Sequence, residues 1–280
     1  MQGTVGILAG GGPLPGQVAA AVHAMGRSVF IVAFQDFAEA KIIAPWPHEY
    51  VRLAAASRIL GLLREHNCKD IVLIGPVRRP SLRDLRPDVE GARILARIGK
   101  ALFSGDDGLL AALVKVLSEE GFNVRGAHEF LDSVEAGVLG KVSPDQQALS
   151  DIAQGIKVVR ALGSLDIGQG CVVQNGLVLA VEAIEGTDVM LKRAGMYKQS
   201  GLGGVLIKQV KPGQERRADM PTIGPKTVET AFEASLRGIA FEAGGTLLTN
   251  RLEMIRLADL KGLFLMGFNP ETFEKEYIHN

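Results

Sequence analysis

Short apolar runs alternate with amphipathic segments through the first half of the chain. The apolar runs have the length of buried strands, and the segments between them repeat apolar residues at the spacing of one helix face. The predicted strands cover residues 5–9, 28–34, 70–74 and 123–125, and the predicted helices cover residues 14–26, 57–66 and 109–117. Apolar strands that alternate with helices are typical of a parallel sheet covered on both faces. The pattern therefore predicts a Rossmann-like α/β domain over residues 1–134.

The pattern changes after residues 132–144, a glycine- and proline-containing stretch that we interpret as a linker. Asn175-Gly176 then separates two apolar runs, which is a strong signal for a two-residue hairpin. The other predicted elements are helices over 145–164, 189–194 and 251–261 and strands over 203–212, 246–248 and 263–266. Because hairpin strands are antiparallel, residues 135–280 are predicted to form a second, mixed α/β domain.

Composition narrows the class of protein. A chain of 280 residues with 47% apolar residues suits two packed domains or one large α/β domain, and it excludes a disordered chain. Lys and Arg total 31, as do Asp and Glu, so no net charge attracts a nucleic acid. Aromatic residues make up 5%, which argues against base-stacking platforms. No nucleic-acid partner is expected.

The cysteines and the N-terminus predict the compartment. Cys68 and Cys171 each lie beside or inside an apolar segment and lack metal-ligand spacing, so we expect buried free thiols in a reducing compartment. The N-terminus enters a strand without the cationic region of a signal peptide, and no apolar run approaches 18 residues. We expect a cytoplasmic protein, which leaves peripheral contact with the inner membrane open.

Three turns follow predicted strands of the first half, at residues 10–12, 35–36 and 75–79. Ligands of parallel α/β sheets bind outside the carboxyl ends of the strands, and glycines let a phosphate approach the backbone. Gly10, Gly11, Gly12 and Gly75 are therefore candidate phosphate-binding residues. As a dinucleotide fingerprint the first turn is imperfect, since Pro15 replaces the third glycine. NAD binding with Asp36 on the ribose, another phosphate and a purely geometric role all remain open.

Residues 216–227 form a loop that combines charge with rigidity. Pro221 and Pro225 shape the loop, while Asp219 and Lys226 supply charge. Thr222 or Thr227 can cap the helix predicted near residue 228, and a helix start attracts anions. The loop suits an oxyanion, phosphate above all; the alternative is a solvated turn whose charges pair with each other.

Acidic residues follow the second hairpin strand, where Glu182, Glu185, Thr187 and Asp188 surround Gly186. Carboxylates at a strand-to-helix switch can hold Mg²⁺ through oxygen; the alternative is that Thr187 or Asp188 caps the helix and the glutamates face solvent. Lys208 lies in the next apolar strand, where a buried ammonium needs a phosphate or a carboxylate. The two halves together predict a cleft for a phosphoanhydride with a divalent metal.

These segments resemble the UDP-2,3-diacylglucosamine pyrophosphatases of the LpxI type, from lipid A biosynthesis. The matching pieces lie at residues 6–15, 100–107, 120–122, 126–129, 140–144, 165–170, 176–188 and 219–224. They run in order over nearly the whole chain, which is more specific than any one glycine turn. The hairpin around Cys171 and Asn175 and the short segment between Ala194 and Gly203 depart from the family pattern.

The resemblance implies hydrolysis of UDP-2,3-diacylglucosamine to UMP and 2,3-diacylglucosamine 1-phosphate (lipid X) with Mg²⁺ or a similar cation, by a homodimer. The family's essential aspartate falls on Asp219, in the second domain. Our hypothesis makes Asp219 a metal ligand or water-orienting base, with Asp188 or Glu182 completing the metal shell. Candidate catalytic residues are Asp219, Asp188 and Lys208, and candidate substrate-binding residues are Gly10, Gly11, Gly12, Gly75, Lys141, Thr187, Thr222 and Lys226. An NAD-dependent oxidoreductase and a non-catalytic lipid- or nucleotide-binding protein are the alternatives.

Overall fold

A computed structural model describes residues 3–78, 87–99, 101 and 106–277 of the protein. The chain forms two compact units, which are Met1–Asp132 with Glu215–Asp219, and Ser133–Gln214 with Met220–Asn280. The first contains a parallel sheet and the second a mixed sheet. The predicted fold class, a Rossmann-like unit followed by a mixed α/β unit, is confirmed.

The first unit is built on a five-stranded parallel sheet in the order β3-β2-β1-β4-β5. Its strands are β1 (Thr4–Ala9), β2 (Val29–Phe34), β3 (His48–Val51), β4 (Cys68–Ile74) and β5 (Asn123–Arg125). Its helices are α1 (Leu14–Ala24), α2 (Ala40–Ile43), α3 (Ala56–Glu65), α4 (Val89–Ile98) and α5 (Asp106–Glu119), and a 3₁₀ turn covers Ala127–Glu129. All six residues of β2 are buried, as expected for a strand covered on both faces.

The second unit contains a six-stranded sheet in the order β6-β13-β11-β9-β7-β8, of which β9, β11 and β13 are parallel. Its strands are β6 (Gly137–Leu139), β7 (Gly170–Gln174), β8 (Leu177–Val181), β9 (Val205–Lys208), β11 (Gly238–Glu242) and β13 (Phe264–Phe268). A separate parallel pair joins β10 (Thr222–Ile223) to β12 (Leu247–Leu248). The helices are α6 (Gln146–Ser164), α7 (Thr187–Met196), α8 (Pro225–Glu233), α9 (Arg251–Lys261) and α10 (Pro270–Tyr277).

Each face of the second sheet has its own core. Val205 and Ile207 of β9 pack with α6, whereas Leu206 packs with residues of α7, α8 and α9. Side chains alternate along a strand, so Lys208 lies on the same face as Leu206, at the carboxyl end of the strand. Gly155 of α6 allows close packing on the other face, since a Cβ there would lie 2.5 Å from Ile207 Cδ1.

Two predicted boundaries differ from the structure. The predicted linker contains β6, which pairs antiparallel with β13 at the edge of the sheet. The helix expected near residue 228 begins at Pro225 after Gly224, because proline at the first helical position has a suitable φ and needs no hydrogen bond there. Of the two threonines expected to cap it, Thr222 lies in β10, whereas Thr227 takes part in the cap because its hydroxyl accepts from Gly224 N at 3.2 Å.

The environment of the two thiols matches the sequence prediction. Cys68 and Cys171 are free and buried. Burial raises the pKa of Cys68 to about 11, and burial together with the charge of Glu182 raises the pKa of Cys171 above its usual range. Within the described part of the chain, none of the helices has both the length and the apolar character to cross a bilayer.

The predicted hairpin joins β7 to β8, and a buried carboxylate holds its turn. Asn175 and Gly176 have φ values of 52° and 80°, as a two-residue turn of this kind requires. Asp151 of α6 is 1% exposed and accepts hydrogen bonds from Asn175 N at 3.0 Å and Gly176 N at 2.7 Å. The turn is therefore fastened to the helix that covers the sheet.

Replacing Asp151 with alanine should destabilise the second unit. The substitution Asp151→Ala leaves two turn amides without their acceptor, which costs about 1–3 kcal/mol for a buried group. Urea unfolding would measure the loss, and Ser150→Ala on the same helix is the control, expected within about 0.5 kcal/mol of the native chain. Equal stability of the two variants would contradict this role for Asp151.

Candidate active site

Three residues form a row at the carboxyl end of β9. Lys208 pairs in register with Gly170, the first residue of β7. On the opposite side of β7, Gly170 pairs with Glu182, the residue that follows β8. The Glu182 N–H donates to Gly170 O at 2.9 Å. Residues opposite each other on paired strands project to the same face. The side chains of Lys208 and Glu182 therefore flank a position that has no side chain.

A hydrogen-bonded chain joins this row to the start of α7. Lys208 Nζ donates to Thr187 Oγ1 at 2.6 Å, and Thr187 Oγ1 donates to Glu182 Oε1 at 2.6 Å. Lys208 Nζ lies 3.5 Å from Glu182 Oε2, and the two side chains are 3% and 8% exposed. The sequence-based expectation that Lys208 needs a counter-charge is met by Glu182.

The start of α7 is open. Gly186 precedes the helix with a φ of 78°, and a Cβ built on it meets nothing within 4 Å. No side chain caps the helix. The amide groups of a first turn lack partners within their own helix, so such a start can accept an anion.

The two other acids of this segment also have basic partners. Glu185 pairs with Arg193 of α7 at 2.5 Å, and Asp188 pairs with Lys226 of α8 at 2.9 Å. The Lys226 side chain is 80% exposed, and its hydrogen bond to Asp188 raises its pKa. The Asp188–Lys226 ion pair joins the start of α7 to the start of α8.

The acids of this segment are each engaged by a basic residue. Each faces its own cation, and the described residues contain no group of three or more His, Cys, Asp or Glu side chains that could hold a metal ion. Mg²⁺ at phosphate sites is usually held by one or two carboxylates together with waters and substrate phosphates, so it does not require such a group. The assignment of Glu182 and Asp188 to a metal shell with Asp219 stays a prediction from the sequence.

Asp219 is the last residue of a short turn, Glu215–Asp219. This turn belongs to the first unit, whereas the sequence predicted Asp219 in the second domain. Its N–H donates to Glu215 O at 3.0 Å, and Ala218 packs against the core of the first unit. Arg217 clamps Glu215 through two hydrogen bonds of 2.6 and 2.8 Å. The hydrogen bonds from Arg217 outweigh burial and lower the pKa of Glu215. Asp219 is half-buried.

Two further candidates lie elsewhere in the second unit. Thr222 donates to Met220 O at 3.3 Å from within β10. Lys141 follows β6, and its N–H donates to Asp259 Oδ1 at 2.7 Å while its side chain is exposed. Among the contacts of the described residues, neither Thr222 nor Lys141 shares a hydrogen bond or ion pair with Lys208, Thr187 or Glu182.

The glycine turn of the first unit uses its amides within the protein. Gly10 N donates to Ile74 O at 2.9 Å, Gly11 N to Pro76 O at 3.0 Å and Gly12 N to Glu39 Oε1 at 3.2 Å. Gly10 and Gly75 meet so closely that a Cβ on Gly10 would lie 2.4 Å from Gly75 O. The contact explains both glycines by packing of one turn against the other.

Sequence reasoning missed Gly170 and Glu39. A glycine at a strand start has no chemistry of its own, and its register beside Lys208 appears only when the strands pair. Glu39 lies 27 residues from the glycine turn that it caps, with no local signal. Asp36, considered for the ribose of NAD, has a φ of 68°. Arg79, Lys100, Ser104 and Gly105 lie outside the described residues.

Comparison with known proteins assigns the chain to a family. The LpxI N-terminal domain family matches residues 4–134, and the LpxI C-terminal domain family matches residues 135–266. The chain belongs to the LpxI family. The resemblance found in the sequence is confirmed.

A curated LpxI relative covers almost all of the chain. The UDP-2,3-diacylglucosamine pyrophosphatase LpxI of Caulobacter vibrioides (strain ATCC 19089 / CIP 103742 / CB 15) is 40% identical over 275 residues, which span 95% of this chain and 98% of that protein. The crystal structure of gox2253 aligns over 100% of this chain and 93% of its own chain, with 11% identity and a TM-score of 0.30. At that score the structural likeness carries no argument.

The close contact between the Gly10 and Gly75 turns predicts that Gly10→Ala destabilises the protein. The added Cβ would collide with the backbone of Gly75, so we expect a loss of about 1–3 kcal/mol in the free energy of unfolding. The control is Gly61→Ala in α3, where the nearest neighbour of the new Cβ is Glu65 Oε1 at 3.8 Å. That variant should be stabilised by up to about 1 kcal/mol. Unchanged stability of Gly10→Ala in urea unfolding would contradict the packing role.

Proposed function

We propose that this protein hydrolyses the diphosphate of UDP-2,3-diacylglucosamine, releasing UMP and 2,3-diacylglucosamine 1-phosphate. The observation that carries the proposal is the match to an LpxI pyrophosphatase over 95% of the chain, at 40% identity. Water supplies oxygen to one phosphorus, the anhydride P–O bond breaks, and the other phosphate leaves with that bond's electron pair. The reaction needs groups that bind a diphosphate and a group that orients the water.

The open start of α7 supports an anion-binding role in this reaction. Three features meet there: an uncapped helix start, a glycine with open space around it and the buried ammonium of Lys208. A helix start and an ammonium both stabilise negative charge, and the effect strengthens where water is excluded. We assign Lys208 and Thr187 to a phosphate of the substrate.

Lys226 adds a mobile positive charge beside the same helix start. Its side chain is 80% exposed and its partner Asp188 is 38% exposed, so solvent screens their ion pair and separating them costs little. We propose that Lys226 exchanges Asp188 for a phosphate oxygen when substrate binds. Asp188 then holds the lysine in place between turnovers.

Asp219 is the proposed group that accepts a proton from the attacking water. The assignment rests on the family resemblance of residues 219–224 and on the turn that holds the half-buried aspartate. A positioned general base contributes about 10²–10⁴-fold to a rate. Gly10, Gly11, Gly12, Gly75, Lys141 and Thr222 stay predictions as substrate contacts.

The variant Asp219→Asn tests this assignment. It keeps the shape of the side chain but cannot accept the proton, so kcat should fall by about 10²–10⁴-fold while the thermal unfolding temperature is retained. Release of UMP from UDP-2,3-diacylglucosamine would be measured by chromatography. Glu253→Gln, on an exposed ion pair of α9, is the control and should keep the native rate. Near-native turnover by Asp219→Asn would remove Asp219 from the reaction.

The metal requirement stays a prediction from the resemblance, and no step above depends on it. When bound, Mg²⁺ would neutralise phosphate charge. If the prediction holds, dialysis against EDTA should abolish UMP release and added Mg²⁺ should restore it. Full activity in EDTA would contradict it.

No specific observation favours the NAD-dependent alternative. The amides of Gly10 and Gly11 already donate to backbone carbonyls, and Pro15 lies within α1. The homodimer, the cytoplasmic location and peripheral contact with the inner membrane also stay predictions. Light scattering and vesicle co-sedimentation would test the first and the last.

A further inference from the structure

Glu182, a predicted metal ligand, has contacts within the protein that suit another task. Its carboxylate accepts from Thr187, faces Lys208 Nζ at 3.5 Å and is 8% exposed. A cation bound to this carboxylate would stand next to the ammonium, and like charges at that distance repel. We propose that Glu182 is a positioning residue, which holds Lys208 through Thr187 so that the ammonium meets a phosphate of the substrate.

The row of paired strands makes this arrangement depend on Gly170. Neighbouring strands are about 4.8 Å apart, so the backbones of Glu182 and Lys208 are separated by about 10 Å across Gly170. Both side chains are long enough to reach toward each other over that gap. A Cβ on Gly170 would lie 2.6 Å from Glu182 Oε2, inside normal contact distance. Glycine thus provides the space in which the carboxylate lies.

The ammonium retains bonding capacity for a ligand. Lysine has three N–H donors. One goes to Thr187, the Glu182 oxygen at 3.5 Å forms an ion pair without a hydrogen bond, and no other described residue accepts from Lys208. A buried ammonium with unused donors is costly unless another acceptor completes its shell. A phosphate oxygen at the start of α7 would complete it.

Thr187 explains how the carboxylate acts on the lysine. The hydroxyl receives from Lys208 and gives its own hydrogen to Glu182, so the three groups form a directed chain. Thr187 is also the first residue of α7. The chain therefore fixes the ammonium relative to the open helix start, and Glu182 need not touch the substrate.

A double-mutant cycle on anion binding tests the inference, which rests on the proposed function for the identity of the anion. Inorganic pyrophosphate serves as the probe, and calorimetry measures its Kd for the native chain, Glu182→Gln, Lys208→Met and the double variant. If Glu182 acts through Lys208, each single variant should bind pyrophosphate about 10- to 100-fold more weakly than the native chain. The double variant should bind no more weakly than Lys208→Met alone.

Two further variants separate positioning from a general effect on folding. Glu182→Asp keeps the charge and should recover part of the affinity, and Gly170→Ala should weaken pyrophosphate binding by displacing the carboxylate without changing any charge. Asp145→Asn is the matched control, because it breaks the ion pair with Arg237 just before β11 and should leave affinity unchanged. Circular dichroism checks that each variant is folded at the temperature of the titration.

Additive losses in the cycle would overturn the positioning role, as would native affinity in Glu182→Gln or in Lys208→Met. Failure of the native chain to bind pyrophosphate would also overturn it. The proposed function fails on a different observation, which is the absence of UMP release from UDP-2,3-diacylglucosamine by the native protein. A non-additive cycle without UMP release would keep the positioning role and reject the substrate.

Discussion

The buried ion pair between Lys208 and Glu182 constrains the carboxyl end of the second sheet. Two charges removed from water cost several kcal/mol each unless their geometry compensates. The compensation here requires Gly170 between them, Thr187 beside them and a strand pairing that brings Lys208 of β9 into register with the β7–β8 hairpin. This arrangement fixes the position of the start of α7, since Thr187 is both the bridging hydroxyl and the first helical residue.

The fold was largely predictable where local patterns are strong. Buried parallel strands such as β2 consist of continuous apolar residues, and the Asn175-Gly176 turn shows its hairpin directly. The elements that escaped prediction are those created by pairing over long distances. β6 is three residues in a glycine-containing stretch and becomes a strand only by pairing with β13. β3 is a four-residue edge strand that retains two polar side chains.

The candidate site was predictable in its residue types but not in its pairings. A lysine in an apolar strand indicates that a counter-charge is needed, and that argument correctly marked Lys208. The sequence cannot say which acid supplies the charge, because it does not give the register between β7, β8 and β9. Glu182, Glu185 and Asp188 are adjacent in sequence and so suggested one metal shell. Helix geometry and strand ends instead direct each toward a different basic residue.

Glycines at two turns have opposite consequences for anion binding. At the end of β1, Gly10 and Gly75 allow two backbones to approach, and the amides that a phosphate would use are bonded to two carbonyls and the Glu39 carboxylate. At the start of α7, Gly186 has a positive φ and open space around it, and no side chain caps the helix. In the sequence, the first turn was interpreted as a phosphate site and the second as a cation site or a helix cap, since glycine permits close approach at both. What distinguishes α7 is the buried ammonium beneath it, whose unused donors favour an anion at that helix start.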